Sequence, residues 1–245
     1  MEITQHFFMT HDGSRLHYLS GGVGTTALVF LHGNNSKSRY FEKQLAFFKE
    51  NYRVIALDAR EHGLSTNHRP ELTFELMAQD LHLLLASLDI TRFFLVGFSD
   101  GANLALVYSF HYPQKIAGLF LNAGNIVPDG LTWLGNLFTF FQVATARVLA
   151  SFSTKWQRRL RIYRLMTQPF LSYQELSQIK VPALILVGQW DLIQIKHGKK
   201  MADLLPYGEL KILPKTFHGF AHSHPQRFNQ LLTNFLQGVN YEKNN

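Results

Sequence analysis

Phe93-Phe94-Leu95-Val96-Gly97-Phe98-Ser99-Asp100-Gly101-Ala102-Asn103-Leu104-Ala105-Leu106 is the stretch that decides how this chain is read. An apolar, β-rich run ends in Gly-Phe-Ser-Asp-Gly, and a helical-looking run follows at once. Strand, G-x-S-x-G turn and helix, in that order, make a nucleophile elbow. The turn is so sharp that the serine backbone is strained and side chains two residues before and after it collide. Positions 97 and 101 therefore require glycine. The Ser99 hydroxyl then stands alone above the sheet edge, and the Asp100 N–H opens the helix, where it can stabilise an oxyanion.

Working outward, short apolar runs alternate with longer helical patterns. Candidate strands are Ala27–Leu31, Arg53–Leu57, Phe93–Val96, Ala117–Leu121, Ala183–Val187 and Glu209–Leu213. Their nearly continuous apolar character implies burial on both faces, as in a parallel sheet. Two earlier runs, His6–Met9 and Arg15–Leu19, are joined by Asp12-Gly13, a hairpin signal that makes the N-terminal edge antiparallel. Apolar residues at 74, 77, 81, 84, 85 and 88 give a helical stripe, and a closing helix covers Asn229–Leu236. The expected fold is α/β: a doubly wound, mostly parallel sheet of about eight strands, the second antiparallel. The alternation breaks once, between Asn122 and Ile179, where an aromatic, helical stretch suggests an inserted cap. The core is then 1–122 and 179–245, with 123–178 as the cap or lid.

Composition narrows the function. Hydrophobic residues make up 46% and charged residues 17% of 245, which fits a folded domain and not a disordered one. The chain has no cysteine, so disulfides, thiolate metal sites and a cysteine nucleophile are excluded. Leu134–Phe152 is apolar but interrupted by Asn136, Gln142 and Arg147. A central arginine is costly in lipid, so this stretch reads as cap helices and not as a membrane span. The net charge of +7 has a local source in Lys155, Arg158, Arg159, Arg161 and Arg164. No nucleic-acid motif accompanies them, so they read as a solvated helix face. The N-terminus shows no basic region followed by an apolar stretch, so the default expectation is a cytoplasmic protein. The tail, Tyr241 to Asn245, is expected to fray.

Four other strand ends carry chemistry or shape. After Leu31 comes His32-Gly33-Asn34-Asn35. Glycine lets backbone approach a substrate closely, and the Asn34 N–H is the candidate second oxyanion donor, with Asn35 as fallback and substrate neighbour. After Leu57 comes Asp58 to Ser65, a loop that reads as structural, with His62 a poor candidate base. Asp191 follows Gly188-Gln189-Trp190, where a carboxylate reaches the crevice beyond the strands' carboxyl ends. It is a candidate to orient a histidine. His218 follows the last strand and is the candidate general base. His222 and His224 lie near it, but the spacing matches no metal-ligand motif, and no metal is expected. Phe98, Trp190 and the cap residues Leu137 and Phe141 are candidate substrate contacts, apolar side chains suited to an acyl or alcohol group.

Taken together, these motifs resemble the α/β-hydrolase superfamily over nearly the whole chain. Nucleophile, acid and base stand in the family order, Ser99, Asp191, His218. The H-G-x loop is His32 to Asn34. The D-x-x-G-H-G-x-S loop is Asp58 to Ser65, with Glu61 in place of a usual glycine. The G-x-x-D segment is Gly188 to Asp191. The late G-H-x-x-x-x-E-x-P segment is Phe217 to Pro225, with Phe217 for glycine and Ser223 for an acid. Pro225 selects His218 over its two neighbours.

The resemblance implies acyl transfer through a serine ester. His218 takes the Ser99 proton, Asp191 steadies the imidazolium, and the N–H groups of Asn34 and Asp100 hold the oxyanion, with no metal or organic cofactor. A serine at position 99 sets aside the branches that attack with a carboxylate. The expected activity is carboxylic ester hydrolysis of a small molecule. C–C bond hydrolysis, lactonase, haloperoxidase and amidase chemistry stay open on the same triad, as does a small-ligand signalling receptor with slow turnover. Asp100 carries a further question: its carboxylate either complements the helix N-terminus or attracts a substrate amine.

Overall fold

In the computed structural model, which describes residues 2–242, the chain forms one eight-stranded sheet flanked by helices. The chain runs β1 (Thr4–Met9), β2 (Arg15–Gly22), β3 (Ala27–Leu31), α1 (Glu42–Phe48), β4 (Arg53–Leu57), α2 (Phe74–Ser87), β5 (Phe93–Phe98), α3 (Asp100–His111) and β6 (Ile116–Asn122). It continues through α4 (Trp133–Leu149), α5 (Thr154–Arg164), α6 (Tyr173–Leu176), β7 (Ala183–Trp190), α7 (Ile195–Leu204), β8 (Gly208–Phe217), α8 (Phe220–Ser223) and α9 (Pro225–Glu242).

The spatial strand order is β1-β2-β4-β3-β5-β6-β7-β8. Strand β2 runs antiparallel to both neighbours, and all remaining pairs are parallel. The expected sheet is therefore found. The fraying expected of the tail meets a helix that reaches Glu242, while Lys243–Asn245 lie outside the described residues.

Burial follows the pleat. Val29, Leu31, Leu95 and Ile185 face a core built with α2, α3 and α7. The alternate residues Leu28, Phe30, Phe94 and Leu186 face a second core with α1, α8 and α9. Two apolar faces explain why the central strands read as unbroken hydrophobic runs.

The winding direction reverses between β3 and β5, which are neighbours although β4 separates them in sequence. Connections leave in opposite directions there, so a crevice opens beyond the carboxyl ends of these two strands. Residues 32–34 and 99 lie at that crevice. The break in alternation after Asn122 is filled by α4, α5 and α6, all inserted between β6 and β7. Thr132 caps α4 through Gly135 N–H, and Ser172 with Glu175 forms a capping box on α6.

Candidate active site

Ser99 directly follows β5 with φ 53° and ψ −119°, a conformation open to few non-glycine residues. The surroundings hold it there. Its N–H donates to the Asn122 carbonyl at 2.8 Å, and its own carbonyl accepts from Ala102 and Asn103 as α3 begins. A Cβ at Gly97 would meet the α3 backbone at Ala102, and one at Gly101 would overlap the Leu31 carbonyl. The glycines flanking the serine are thus required by backbone crossing at van der Waals distance.

His218 and Asp191 come to the same crevice from β8 and β7. The Ser99 hydroxyl and His218 Nε2 lie 3.1 Å apart, and His218 Nδ1 lies 2.6 Å from Asp191 Oδ1. Asp191 is buried and fixed by two backbone donors, Gly188 N–H to Oδ2 at 3.0 Å and Ile193 N–H to Oδ1 at 3.2 Å. The carboxylate therefore has one remaining direction in which to act, toward the imidazole. The Phe98 ring lies 4.9 Å from that imidazole and stacks on Tyr40 at 4.6 Å.

The loop after β3 runs beside the serine. A Cβ at Gly33 would sit 3.2 Å from Ser99 Cβ and 3.0 Å from the Phe98 ring. Asn34 follows. Its side-chain Nδ2 donates to Asp100 Oδ2 at 2.7 Å and to the Ile162 carbonyl of α5 at 2.8 Å. Asp100 is the first residue of α3, so its N–H has no partner within the helix. Its carboxylate is buried, and Asn103 donates to the other oxygen at 3.3 Å. Burial pushes this carboxyl up to about 6, against the lowering effect of both asparagines. The carboxylate is thus spent on the Asn34 side chain and is not among the groups lining the cleft. The substrate-amine alternative for Asp100 finds no support in that placement.

The cleft over Ser99 is a cavity of about 140 Å³. Asn34, Phe98, Ser99 and His218 line it from the core, with Asn125, Leu131, Leu192 and Ile193 beside them. Gly135, Phe138, Thr139 and Gln142 of α4, with Met166, close it from the insertion. Leu137 and Phe141 are absent from this lining and are 43% and 58% exposed, which corrects their expected position. The reason is helical phase. Gly135, Thr139, Gln142 and Ala146 share one face of α4, and that small, polar face turns inward, leaving the aromatic face outside.

Trp190 is also displaced from its expected place. It belongs to β7, pairs with Phe217 of β8 and packs on that ring at 5.1 Å on the exterior. Asn35, at φ 50°, turns to donate to the Tyr163 hydroxyl of α5 at 3.3 Å and lines a separate solvent-facing hollow with Lys37 and Arg158. The cleft residues that sequence reasoning missed had a usable signal in two cases: Leu192 and Ile193 directly follow Asp191, and the spacing 135, 139, 142, 146 marks a helix face.

The Asp58 loop is architectural. Asp58 accepts from the N–H groups of Ser38 (2.6 Å) and Leu64 (2.9 Å) and lies 2.8 Å from His17 Nδ1. His62 is buried, bonded to the Arg60 carbonyl, and held down to about 3 by burial. Among the described residues, no three His, Asp or Glu side chains gather as a metal-binding group. A larger groove of about 470 Å³, between Pro70–Glu75 and Gln168–Phe170, contains neither Ser99 nor His218.

A family model for the alpha/beta hydrolase fold matches residues 26–172. Among curated proteins, a 2-hydroxy-6-oxononadienedioate/2-hydroxy-6-oxononatrienedioate hydrolase of Paraburkholderia phymatum is 28% identical, over 91% of each chain. An sn-1-specific diacylglycerol lipase of Mus musculus is 26% identical, over 89% of this chain and 83% of its own. Among solved structures, a thermophilic esterase from Thermogutta terrifontis superposes with a TM-score of 0.79 at 21% identity, covering 98% of this chain and 99% of the esterase. Hydrolase is the class these relatives share and support for this chain.

Proposed function

This chain belongs to the α/β-hydrolase family, and from that premise we propose that it is a serine hydrolase of small, uncharged carboxylic esters, working through an acyl-enzyme. In this reading Ser99 attacks the ester carbonyl while His218 Nε2 takes its proton. Asp191 keeps the Nδ1 proton facing itself and stabilises the imidazolium as it forms. The N–H groups of Asn34 and Asp100 receive the oxyanion, with the positive end of α3 behind Asp100. The imidazolium returns the proton to the leaving alcohol. Water then attacks the acyl-enzyme with His218 again as base. Phe98 limits ring movement of His218, and residues 123–178 act as a cap that roofs the cleft.

The observation that favours an ester over a dienedioate-type C–C substrate is the charge of the cleft. A dicarboxylate entering a low-dielectric cleft needs a cationic partner. Among the described residues, the lining contains no lysine or arginine. Apart from Ser99 and His218, its polar groups are neutral asparagine, glutamine and threonine side chains, which suit a neutral acyl group. At about 140 Å³ the cavity is smaller than the ~300–1,000 Å³ of sites for drug-sized ligands, which favours short acyl chains.

Steady-state hydrolysis of p-nitrophenyl esters from acetate to laurate tests the reading, with Ser99→Ala as control. Multiple turnover, fastest on short chains and abolished in the variant, is the expected result. Single turnover, or faster cleavage of a dienedioate C–C substrate than of any ester, refutes it.

A further inference from the structure

Helix α4 is amphipathic in the inverted sense. Its inward face is Gly135, Thr139, Gln142 and Ala146, whereas Trp133 (72% exposed), Phe140 (65%) and Phe141 (58%) lie on the solvent face with Leu134, Leu137 and Val148. Phe152 just beyond is 82% exposed, the most open large apolar side chain among the described residues. At usual aromatic side-chain sizes this face presents roughly 500 Å² of apolar surface, at the upper limit of what a monomer leaves bare.

Along the chain, the charges from the start of α4 to the end of α5 are of one sign. Between residues 130 and 174 the chain has six Lys and Arg and no Asp or Glu. The whole insertion, 123–178, adds Asp129 and Glu175 near its two ends and so contributes +4 of the net charge of +7. Arg158 and Arg161 are bonded to the Glu61 loop. Arg147, Lys155, Arg159 and Arg164 have no acidic partner among the described residues. Arg147 borders the aromatic face on α4. Lys155 follows Phe152 by three residues, and the Arg159 guanidinium lies 4.6 Å over the Trp156 ring.

We propose that the outward face of α4, with Phe152 and the basic residues beside it, is a docking surface for an anionic lipid membrane, on which the helix lies in the interfacial plane. Aromatic side chains on one face with lysine and arginine at its border are the composition of an interfacial helix. Its apolar side sinks about 5–10 Å into the headgroup boundary while the cations meet anionic headgroups. The same charge argues against a second copy of the chain as occupant, because two such faces would bring like charges together across an apolar seam. No helix among the described residues is long and apolar enough to span a membrane, so attachment is to one leaflet. Phe138 belongs both to the cleft lining and to the exposed residues of α4, so the mouth of the cleft borders the docking face.

The test is co-sedimentation of the full chain with vesicles of phosphatidylcholine alone and of phosphatidylcholine containing one quarter phosphatidylglycerol, at low and high salt. Binding to the anionic vesicles, weakened by salt and much weaker on neutral ones, is expected. Phe140→Ser/Phe141→Ser should lower affinity roughly tenfold per side chain. Arg147→Glu/Lys155→Glu should lower it by at least about fivefold per residue. All four side chains are exposed, and circular dichroism and Tm check that the variants are folded. Equal binding to both vesicle types, no binding, or no effect of the phenylalanine variants overturns the proposal. So does a wild-type dimer in sedimentation velocity that the phenylalanine variant converts to monomer, which would give the face to a second copy.

Discussion

Replacing Glu61 by glycine should loosen the helical insertion while leaving overall stability nearly unchanged. Glu61 stands where related loops carry glycine, and its φ of 66° is a glycine-like conformation that costs about 1 kcal/mol for another residue. Its carboxylate is 6% exposed and takes the Arg161 fork, with Nε at 2.9 and 3.0 Å from the two oxygens and Nη2 closing the pair. Arg161 is 35% exposed, so once unpaired it turns to water and avoids a full burial penalty. After allowance for that screening, loss of the bidentate pair costs about 1–2 kcal/mol. Relief of the backbone offsets most of this in the global balance.

The offset does not apply to the attachment of α5. The backbone strain is local to residue 61, but the ion pair joins the core to the insertion, and only the ion pair is lost when the insertion detaches. Arg158 still bonds the carbonyl of residue 61, so the substitution isolates the carboxylate. Detachment should become about 5–30-fold more frequent, the factor that corresponds to 1–2 kcal/mol. Limited native-state proteolysis, followed by mapping of nicks within residues 133–164, reads that frequency. Tm should move by only a few degrees. Arg161→Ala should reproduce the increase, and the double variant should add little to either. Nicking within about twofold of wild type in Glu61→Gly would refute the reasoning that this ion pair holds the insertion down.

Two further outcomes follow from the cleft. Asp100 in the native state binds its proton up to about 6, above the 3.8 of the unfolded chain, so the native state holds more protons between these values. The Asp100 contribution to stability should therefore fall as pH rises from 4 to 7, opposite in sign to that of the buried His62, and Asp100→Asn should lack that component. The stability difference between the two proteins should shift by roughly 2–3 kcal/mol across the window in urea unfolding, and a difference that stays constant with pH would contradict the burial argument. Phe138→Ala should open the cavity and move the acyl-chain preference toward longer esters, while Leu137→Ala, one residue away on the outward face, should leave the profile unchanged. Equal shifts in both would contradict the helical phase of α4.

The sheet was readable because each central strand is buried on both faces and so declares itself as an apolar run. The hairpin at Asp12-Gly13 placed β2 antiparallel for an equally local reason. Strand ends were less legible. Strand β7 runs on to Trp190 and β8 to Phe217 because a register shift lets those two residues pair beyond the apolar stretch. That extension carries the Trp190 ring outside while Asp191, the next residue, turns inward. Ser99, His218 and Asp191 were nameable because each directly follows a strand that ends at the same crevice, so topology alone brings them close. The Asn34 side chain is different. Nothing local announces that its amide joins Asp100 to the Ile162 carbonyl, since the two partners lie 66 and 128 residues away.

The insertion misled for a physical reason that also organises the molecule. Reading Leu137 and Phe141 as cleft residues assumes that the apolar face of a helix turns toward the core, and α4 breaks that rule because its inward face must leave space over Ser99. Small and amide side chains at 135, 139 and 142 provide that space. An aromatic face in their place would fill a cavity of only about 140 Å³. With its inward face kept sparse, α4 gains little from burial, and discrete polar links hold the insertion alongside the buried anchors Leu131, Leu165, Leu171 and Leu176. Asn34 reaches Ile162, Asn35 reaches Tyr163, Glu61 takes Arg161, and Gln194 donates to the carbonyls of Asp129 and Leu131. Each core partner in these links sits on a loop at the carboxyl end of a strand, the same rim that carries the serine, histidine and aspartate. Asn34 belongs to both sets. The backbone beside Ser99 is therefore positioned partly by α5, and the helix that roofs the cleft is positioned by the loop that forms its floor.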